Sequence, residues 1–364
     1  MFAPFLLISL ISLITGADEP GMMPETEILF VGDAMQHQAQ LDRAKELGKD
    51  KYDYSGCFTL ISPDILESDY AVCNLEVPLG GGPSYSGYPC FSAPDSYAKS
   101  LRDAGFNMML TANNHCLDRH DKAARRTLLA LDSLGIHHTG TFHDKAQRDT
   151  LVPYIKDING FKIGFLNYTY GTNGIEPQEG VEISLIDKDK IREEINKTRE
   201  EGAEIIIACM HWGIEYVLIE NNVQRNLTDF LVDEGVDLII GSHPHVVQPM
   251  KMIRNEKEEK DVLVVYSLGN FISNMKTADT RGGALSRVIL KRGENGKAYL
   301  EGANYDTFFS SKPEGKENFK VIPSWMPSEI PSSQVDHWKI FERGSSKIFD
   351  TYNIGVERKH VVQK

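Results

Sequence analysis

An alternation of short apolar, β-branched runs with amphipathic stretches constrains this chain more than any other feature of its sequence. The runs are EILFVGD (27–33), YAVCNLE (70–76), NMMLTANNH (107–115), KIGFLNYTY (162–170), EIIIACMHWG (204–213), VDLIIGSHPH (236–245) and VLVVYSLGNF (262–271). Each is of strand length and nearly continuous in apolar residues, as buried strands of a layered α/β domain are. Between them, spacings of three and four predict helices over 38–48, 95–105, 121–135, 187–202 and 222–235, several opening on Asp or Asn and closing at Gly. RNEKEEKD (254–261), a charge run between two strands, reads as a solvated hairpin tip. These patterns predict one α/β domain over 25–310. The Pro- and Ser-rich stretch that follows reads as a C-terminal extension or lid over 311–364.

The strand ends carry the functional signal. Nearly every run finishes in a residue able to bind metal or phosphate: Asp33, Asn74 with Glu76, Asn114 with His115, His211, His243 with His245, and Asn270. Open α/β sheets bind ligands beyond the carboxyl ends of their strands, so these groups are expected to converge on one crevice.

In GSHPHVVQP, His243 and His245 flank Pro244. If the segment is extended, both imidazoles share a face and can enter one metal site. TANNHCLD offers the Asn114 amide oxygen as a ligand and His115 as proton donor or charge stabiliser. Asp118 then shapes the turn or orients His115, and Asn113 belongs to the turn. In ACMHWGIEY, His211 is another strand-end imidazole, Trp212 is packing, and Glu215 either hydrogen-bonds a ligand histidine or makes an exposed salt bridge. His37 follows Asp33 by four residues. It is a ligand or substrate contact if a helix starts at Asp33, and otherwise a helix-surface histidine. Glu76 is the carboxylate best placed to bridge two cations. The triglycine at 80–82 lacks a following GK[ST], and Ser267 lacks a G-x-S-x-G elbow, which argues against P-loop nucleotide binding and serine-hydrolase chemistry.

A net charge of −13 argues against nucleic acid as a partner. The N-terminus, MFAPFLLISLISLITGADEP, has an apolar core from Phe5 to Ile14 and small residues at 15–17. It predicts a signal peptide over 1–17 and export to the periplasm or beyond, although no Lys or Arg precedes the apolar core. No later segment resembles a transmembrane helix. Five cysteines without CxxC spacing read as structural, with Cys57 and Cys90 able to pair.

Taken in order, GD, NLE, ANNH…D, HWG.E, G.HPH..Q and YSLGNF resemble the bacterial capsule-synthesis family associated with poly-γ-glutamate, the CapA-like proteins, over about 28–274. That family is similar to calcineurin-like metallophosphoesterases. The resemblance implies a layered α-β-β-α sandwich. It also implies two divalent metals (Mn, Fe or Zn) held by Asp33, Glu76, Asn114, His211, His243 and His245, with His115 beside the scissile group. Asn74, Gln248 and Asn270 in the same motifs are expected beside ligands or substrate. An anionic small molecule or polymer is the implied substrate, and capsule or envelope assembly proteins are the implied partners. The chain departs from the phosphoesterase pattern at its opening Asp-x-His, where Ala34 and Met35 follow Asp33, and in having Glu76 for the usual bridging Asp.

Overall fold

The computed structural model describes residues 24–49 and 51–362. The expected signal peptide therefore lies outside the described residues.

The first sheet is built around β1 (Glu25–Ala34), which pairs in parallel with β2 (Tyr70–Leu75). β3 (Met108–Leu110) and β4 (His137–Thr139) extend it on that side. A two-stranded ribbon of β5 (Thr141–Phe142) and β8 (Glu182–Ile183) stands apart.

The second sheet runs β11-β12-β10-β9-β7-β6. Its parallel centre is β7 (Phe161–Thr169), β9 (Ile205–His211), β10 (Leu238–Ser242) and β12 (Lys260–Val265), with antiparallel edges β6 (Tyr154–Ile158) and β11 (Met250–Asn255). The charge run at 254–261 is the tip of the β11–β12 hairpin, as expected.

On its other side β1 pairs with the short β13 (Asn270–Ile272) and the long β14 (Gly282–Arg292), then β15 (Ala298–Ser311) and β16 (Lys320–Pro323) complete that edge. β17 (Glu357–Arg358) adds to β15.

The period-two alternation sorts side chains into three cores. Ile28, Phe30, Tyr70, Val72 and Met108 face Ile163, Phe165, Ile205, Ile207 and Leu238 between the sheets. Their neighbours Leu29, Val31, Ala71 and Cys73 point outward, under α1 (Gln38–Gly48), α2 (Ser62–Glu67), α3 (Asp95–Asp103) and α4 (His120–Leu134). α5 (Lys145–Leu151) is a short connecting helix. Ile206, Ala208, Met210 and Ile239 point the other way, under α6 (Lys188–Glu200) and α7 (Asn222–Asp233). Helices outside two face-packed sheets are the α-β-β-α sandwich that the resemblance implied. Of the expected Asp or Asn openings, Asp187 caps its helix, accepting from the Asp189 and Lys190 amides. α7 is capped one residue earlier, at Asn221, which accepts from Gln224. α3 and α4 begin after Pro94 and Arg119 without a side-chain cap, and α4 stops at Gly135 with φ +69°.

Three readings need correction here. Of the two readings of residues 311–362, the extension fits and the lid does not. β16 is hydrogen-bonded into the first sheet, and α8 (Val335–Tyr352) buries Trp338 and Phe341 against Phe309 and Ile322. Their signal is weak because β16 is four residues long and the Gly344-Ser345-Ser346 run breaks the apolar stripe of α8. No helix starts at Asp33; the strand runs on to Ala34, and His37 is the N-cap residue of α1. Cys57 and Cys90 are both free thiols, the first buried and the second exposed. Among the described residues no helix is long and apolar enough to cross a membrane.

Candidate metal centre

The carboxyl ends of both sheets meet in one place. Asp33 ends β1, Asn74 and Glu76 follow from β2, Asn113 to His115 leave β3, His211 ends β9 and His243 follows β10. The approach of the strands is tight at Gly32, where a Cβ would come 1.9 Å from the Gly269 carbonyl oxygen. Glycine there lets the Asp33 amide donate to that same oxygen at 2.9 Å, which fixes the carboxylate's direction.

Asp33, Glu76 and His211 are fully buried, and His243 and His245 nearly so. Two groups of ligand atoms converge: Asp33, Glu76 and His211, and Glu76, His243 and His245, the atoms of each group within 4.8 Å of one another. Glu76 belongs to both. Asp33 Oδ2 is 3.0 Å from His245 Nδ1, and Asp33 Oδ1 accepts from Asn74 Nδ2 at 2.7 Å. Glu76 Oε1 lies 3.7 Å from His211 Nε2 and 3.8 Å from His245 Nε2, with no hydrogen-bond partner. His243 Nδ1 is likewise buried and unpartnered. His211 Nε2 is 2.8 Å from Asn114 Oδ1, so the amide oxygen and the imidazole that would share a cation face each other directly.

Burial and the neighbouring Asp33 charge push the Glu76 carboxyl well above its usual range. Burial alone would raise Asp33 too, but hydrogen bonds from His245 and Asn74 outweigh it and hold Asp33 below its usual value. Burial, with the nearby histidines, pushes His211 well below the imidazole range and His243 down to about 3. His211 and His243 thus present neutral imidazoles, and Glu76 one displaceable carboxyl proton, the state from which metal ligands start. Orphaned buried acceptors on Glu76 and His243, together with an oxygen–nitrogen donor set, fit divalent metals such as Mn, Fe or Zn.

The GSHPH histidines reach the site differently from the expectation. They do not lie on one face of an extended strand. His243 has φ +98° and His245 φ +59°, so a turned backbone delivers both rings, 5.9 Å apart between centroids. Strained non-glycine backbone of this kind concentrates at functional sites. The His243 amide also reaches the Asp33 carboxylate, at 3.3–3.4 Å.

At the mouth, His115 Nδ1 is 2.8 Å from Asp118 Oδ2, which also accepts from the Phe91 amide at 2.7 Å. Asp118 therefore orients His115, and the Phe91 ring stands edge-on to the imidazole at 4.7 Å. Asn113 stays in the turn, donating to the Leu75 carbonyl.

The remaining predicted residues divide. Asn74 is inside the cluster as a hydrogen-bond donor to Asp33. His37 stays out of both ligand groups; its Nδ1 accepts from the Asn274 amide at 3.3 Å, and burial pulls its pKa down to about 4. Gln248 does not reach the centre: it bridges Gln224 and the Val217 carbonyl, bracing the loop after His211. Asn270 pairs with Asp33 in the β1–β13 register, and its Nδ2 donates to the His245 and Thr280 carbonyls. Glu215 hydrogen-bonds no ligand histidine and makes no salt bridge among the described residues; it lines the cavity that opens onto His115. Trp212 packs, donating to the Tyr266 carbonyl.

Sequence reasoning missed Ser242, 3.0 Å from His211 Nδ1, and Asn173, which accepts from Asn114 Nδ2 at 3.2 Å. It also missed Tyr170, whose ring lies 4.6 Å from that of His243. Tyr170 ends KIGFLNYTY and Asn173 follows it, on a strand whose polar end was not counted with the others.

Fold and site together define a two-sheet α/β protein with a buried cluster of candidate metal ligands. The family model for bacterial capsule synthesis protein PGA_cap matches residues 27–275, and the chain belongs to that family. It is 27% identical over 347 residues to capsule biosynthesis protein CapA of Bacillus anthracis, covering 92% of this chain and 79% of that one. Among solved structures it resembles the calcineurin-like phosphoesterase YfkN of Bacillus subtilis (TM-score 0.48, 14% identity, 91% and 99% of the two chains). It also resembles the NAD nucleotidase of Haemophilus influenzae (TM-score 0.45, 12% identity), covering 91% of this chain but only 57% of the nucleotidase.

Proposed function

We propose that the chain is a metal-dependent hydrolase of the calcineurin-like phosphoesterase type. It acts outside the cytoplasm in the making of a capsule polymer, on a phosphoester or related anionic substrate. The observation that carries this reading is the pair of ligand groups joined at Glu76, whose free Oε1 faces both. Asp33, Asn114 and His211 would hold one ion with Glu76, and His243 and His245 the other. Two divalent ions there would supply an activated water at neutral pH and stabilise charge on the oxygens of the reacting group.

The chain's own residues do the rest. His115 donates its Nδ1–H to the Asp118 carboxylate, which orients the protonated ring so that Nε2 gives its proton to the departing oxygen and the ring is left neutral. Phe91 shields the pair from water, and Asn74 keeps the Asp33 carboxylate turned toward the centre.

The test is hydrolysis of bis(p-nitrophenyl) phosphate by Mn-loaded protein. His115→Ala is expected to lower kcat by ~10²–10⁴-fold with bound metal retained. Asp118→Asn, which keeps the shape but loses the carboxylate, is expected to cost about 10–100-fold. Turnover unaltered by His115→Ala would sink the hydrolase reading.

A second reading, a non-catalytic accessory protein of polymer assembly or export, is favoured by one observation. Ala34 and Met35 stand where a ligand histidine would follow Asp33, and His37 does not replace it. That reading predicts metal binding with no turnover of any ester. Release of free glutamate from poly-γ-glutamate would instead mark a γ-glutamyl amidase.

A further inference from the structure

The centre opens through a cavity of about 290 Å³ whose lining is not what a phosphate alone asks for. Its polar groups are His115 with Asp118, the amides of Asn114 and Asn173, and the Glu215 carboxylate. No lysine or arginine is among the described residues that line it. Arg119, beside Asp118 in sequence, donates to the Ser86 hydroxyl and the Cys90 carbonyl, and so fastens the loop that carries Tyr88.

Tyr88, which lines the cavity, is 73% exposed, and two further exposed tyrosines, Tyr170 at 49% and Tyr216 at 55%, stand against histidines of the centre. The Tyr170 ring is 4.6 Å from that of His243, the Tyr216 ring 6.2 Å from that of His245, and the Tyr88 ring 6.2 Å from that of Phe91. Glu215 lines the same cavity as Tyr88 and immediately precedes Tyr216 in the chain. Tyr216 and Asn173 adopt left-handed backbone, φ +67° and +53°, a conformation that costs free energy and persists only where the surroundings fix it. Exposed aromatic faces grouped about one carboxylate, with no cation to neutralise it, form the arrangement that receives ammonium groups.

We propose that the part of the substrate beside the scissile bond carries an ammonium group, held by the Glu215 carboxylate among the faces of Tyr88, Tyr170 and Tyr216. The substrate is then zwitterionic, its anionic group on the metals and its cation in the cage. The proposal rests on the hydrolase reading for the scissile bond, but the cage is a binding site and is tested without turnover.

The experiment is calorimetric titration of the full chain, Mn-loaded and metal-free, with choline phosphate and with 3,3-dimethylbutyl phosphate. The second has the same shape, with carbon in place of the quaternary nitrogen. Choline phosphate is expected to bind the Mn-loaded protein about tenfold more tightly. Glu215→Gln and Tyr216→Leu are each expected to bring the two affinities together. Ethanolamine phosphate, titrated alongside, separates a primary from a quaternary ammonium. Equal affinity for the two isosteres, a preference unmoved by Glu215→Gln, or no binding of either overturns the proposal. Turnover of p-nitrophenyl phosphorylcholine is scored separately. Its absence with the binding preference intact sinks the hydrolase reading and leaves the cage standing.

Discussion

Glu76→Ala is expected to lower turnover by at least ~10³-fold, about 4 kcal/mol of transition-state stabilisation. It should also abolish the thermal stabilisation that Mn gives the unaltered chain. Glu76 is the one residue common to both ligand groups, so its loss disables both halves of the centre at once. The same substitution should leave the metal-free protein no less stable than the parent. Without a cation, Glu76 is a fully buried carboxyl with an unpartnered oxygen, and burial with the Asp33 charge beside it works against its ionised form. A residue whose removal costs all function and no stability is kept for its ligand. Thermal melts of both proteins with and without Mn measure this, since an ion bound only by the native state raises Tm in proportion to its affinity. A Glu76→Ala chain that Mn still stabilises fully would mean the carboxylate bridges nothing.

The second large effect lies in the frame. Arg287 of β14 is fully buried. It donates through Nη1 to Asp306 at 2.7 Å and through Nη2 to Asp64 at 3.0 Å. Asp306, on β15, also accepts from the amide and the Nδ1 of His360, at 2.8 Å each, so one guanidinium ties together two strands, α2 and the C-terminal segment. Arg287→Leu is expected to destabilise the fold by ~3–5 kcal/mol, because it strands buried carboxylates without a partner. Urea unfolding followed by circular dichroism measures it. Metal content per folded chain should not change, since none of these residues belongs to the ligand groups. A loss under 1 kcal/mol would show that the network is not what holds the C-terminal segment to the sheet.

Much of this was legible in the sequence because the physics that writes it is local. The seven apolar runs are strands because burial on both faces demands continuous apolar residues, and the helices between them carry their caps in the chain. The polar strand ends converge because parallel strands point the same way, which placed Asp33, Glu76, Asn114, His211, His243 and His245 together before any coordinates. What was not legible depends on long-range pairing. The hairpin of β14 and β15 alternates polar and apolar residues too irregularly to stand out. Its buried Arg287 makes sense only once Asp64 and Asp306 are beside it. The left-handed backbone at His243 and His245 has no sequence marker, since neither is glycine. Gln248 looked like part of the histidine motif, yet its partners, Gln224 and Val217, come from the segment after β9. Glu215 and the tyrosines gain their meaning from three separate loops folding onto one mouth.

We propose that this cluster holds two metal ions sharing Glu76. Elemental analysis of purified protein, before and after loading with Mn, Fe or Zn, tests it most directly. Close to two ions per chain are expected, reduced to one or fewer in His243→Ala and in Glu76→Ala. A chain that retains no metal under any loading, or whose metal content those substitutions leave untouched, would contradict it.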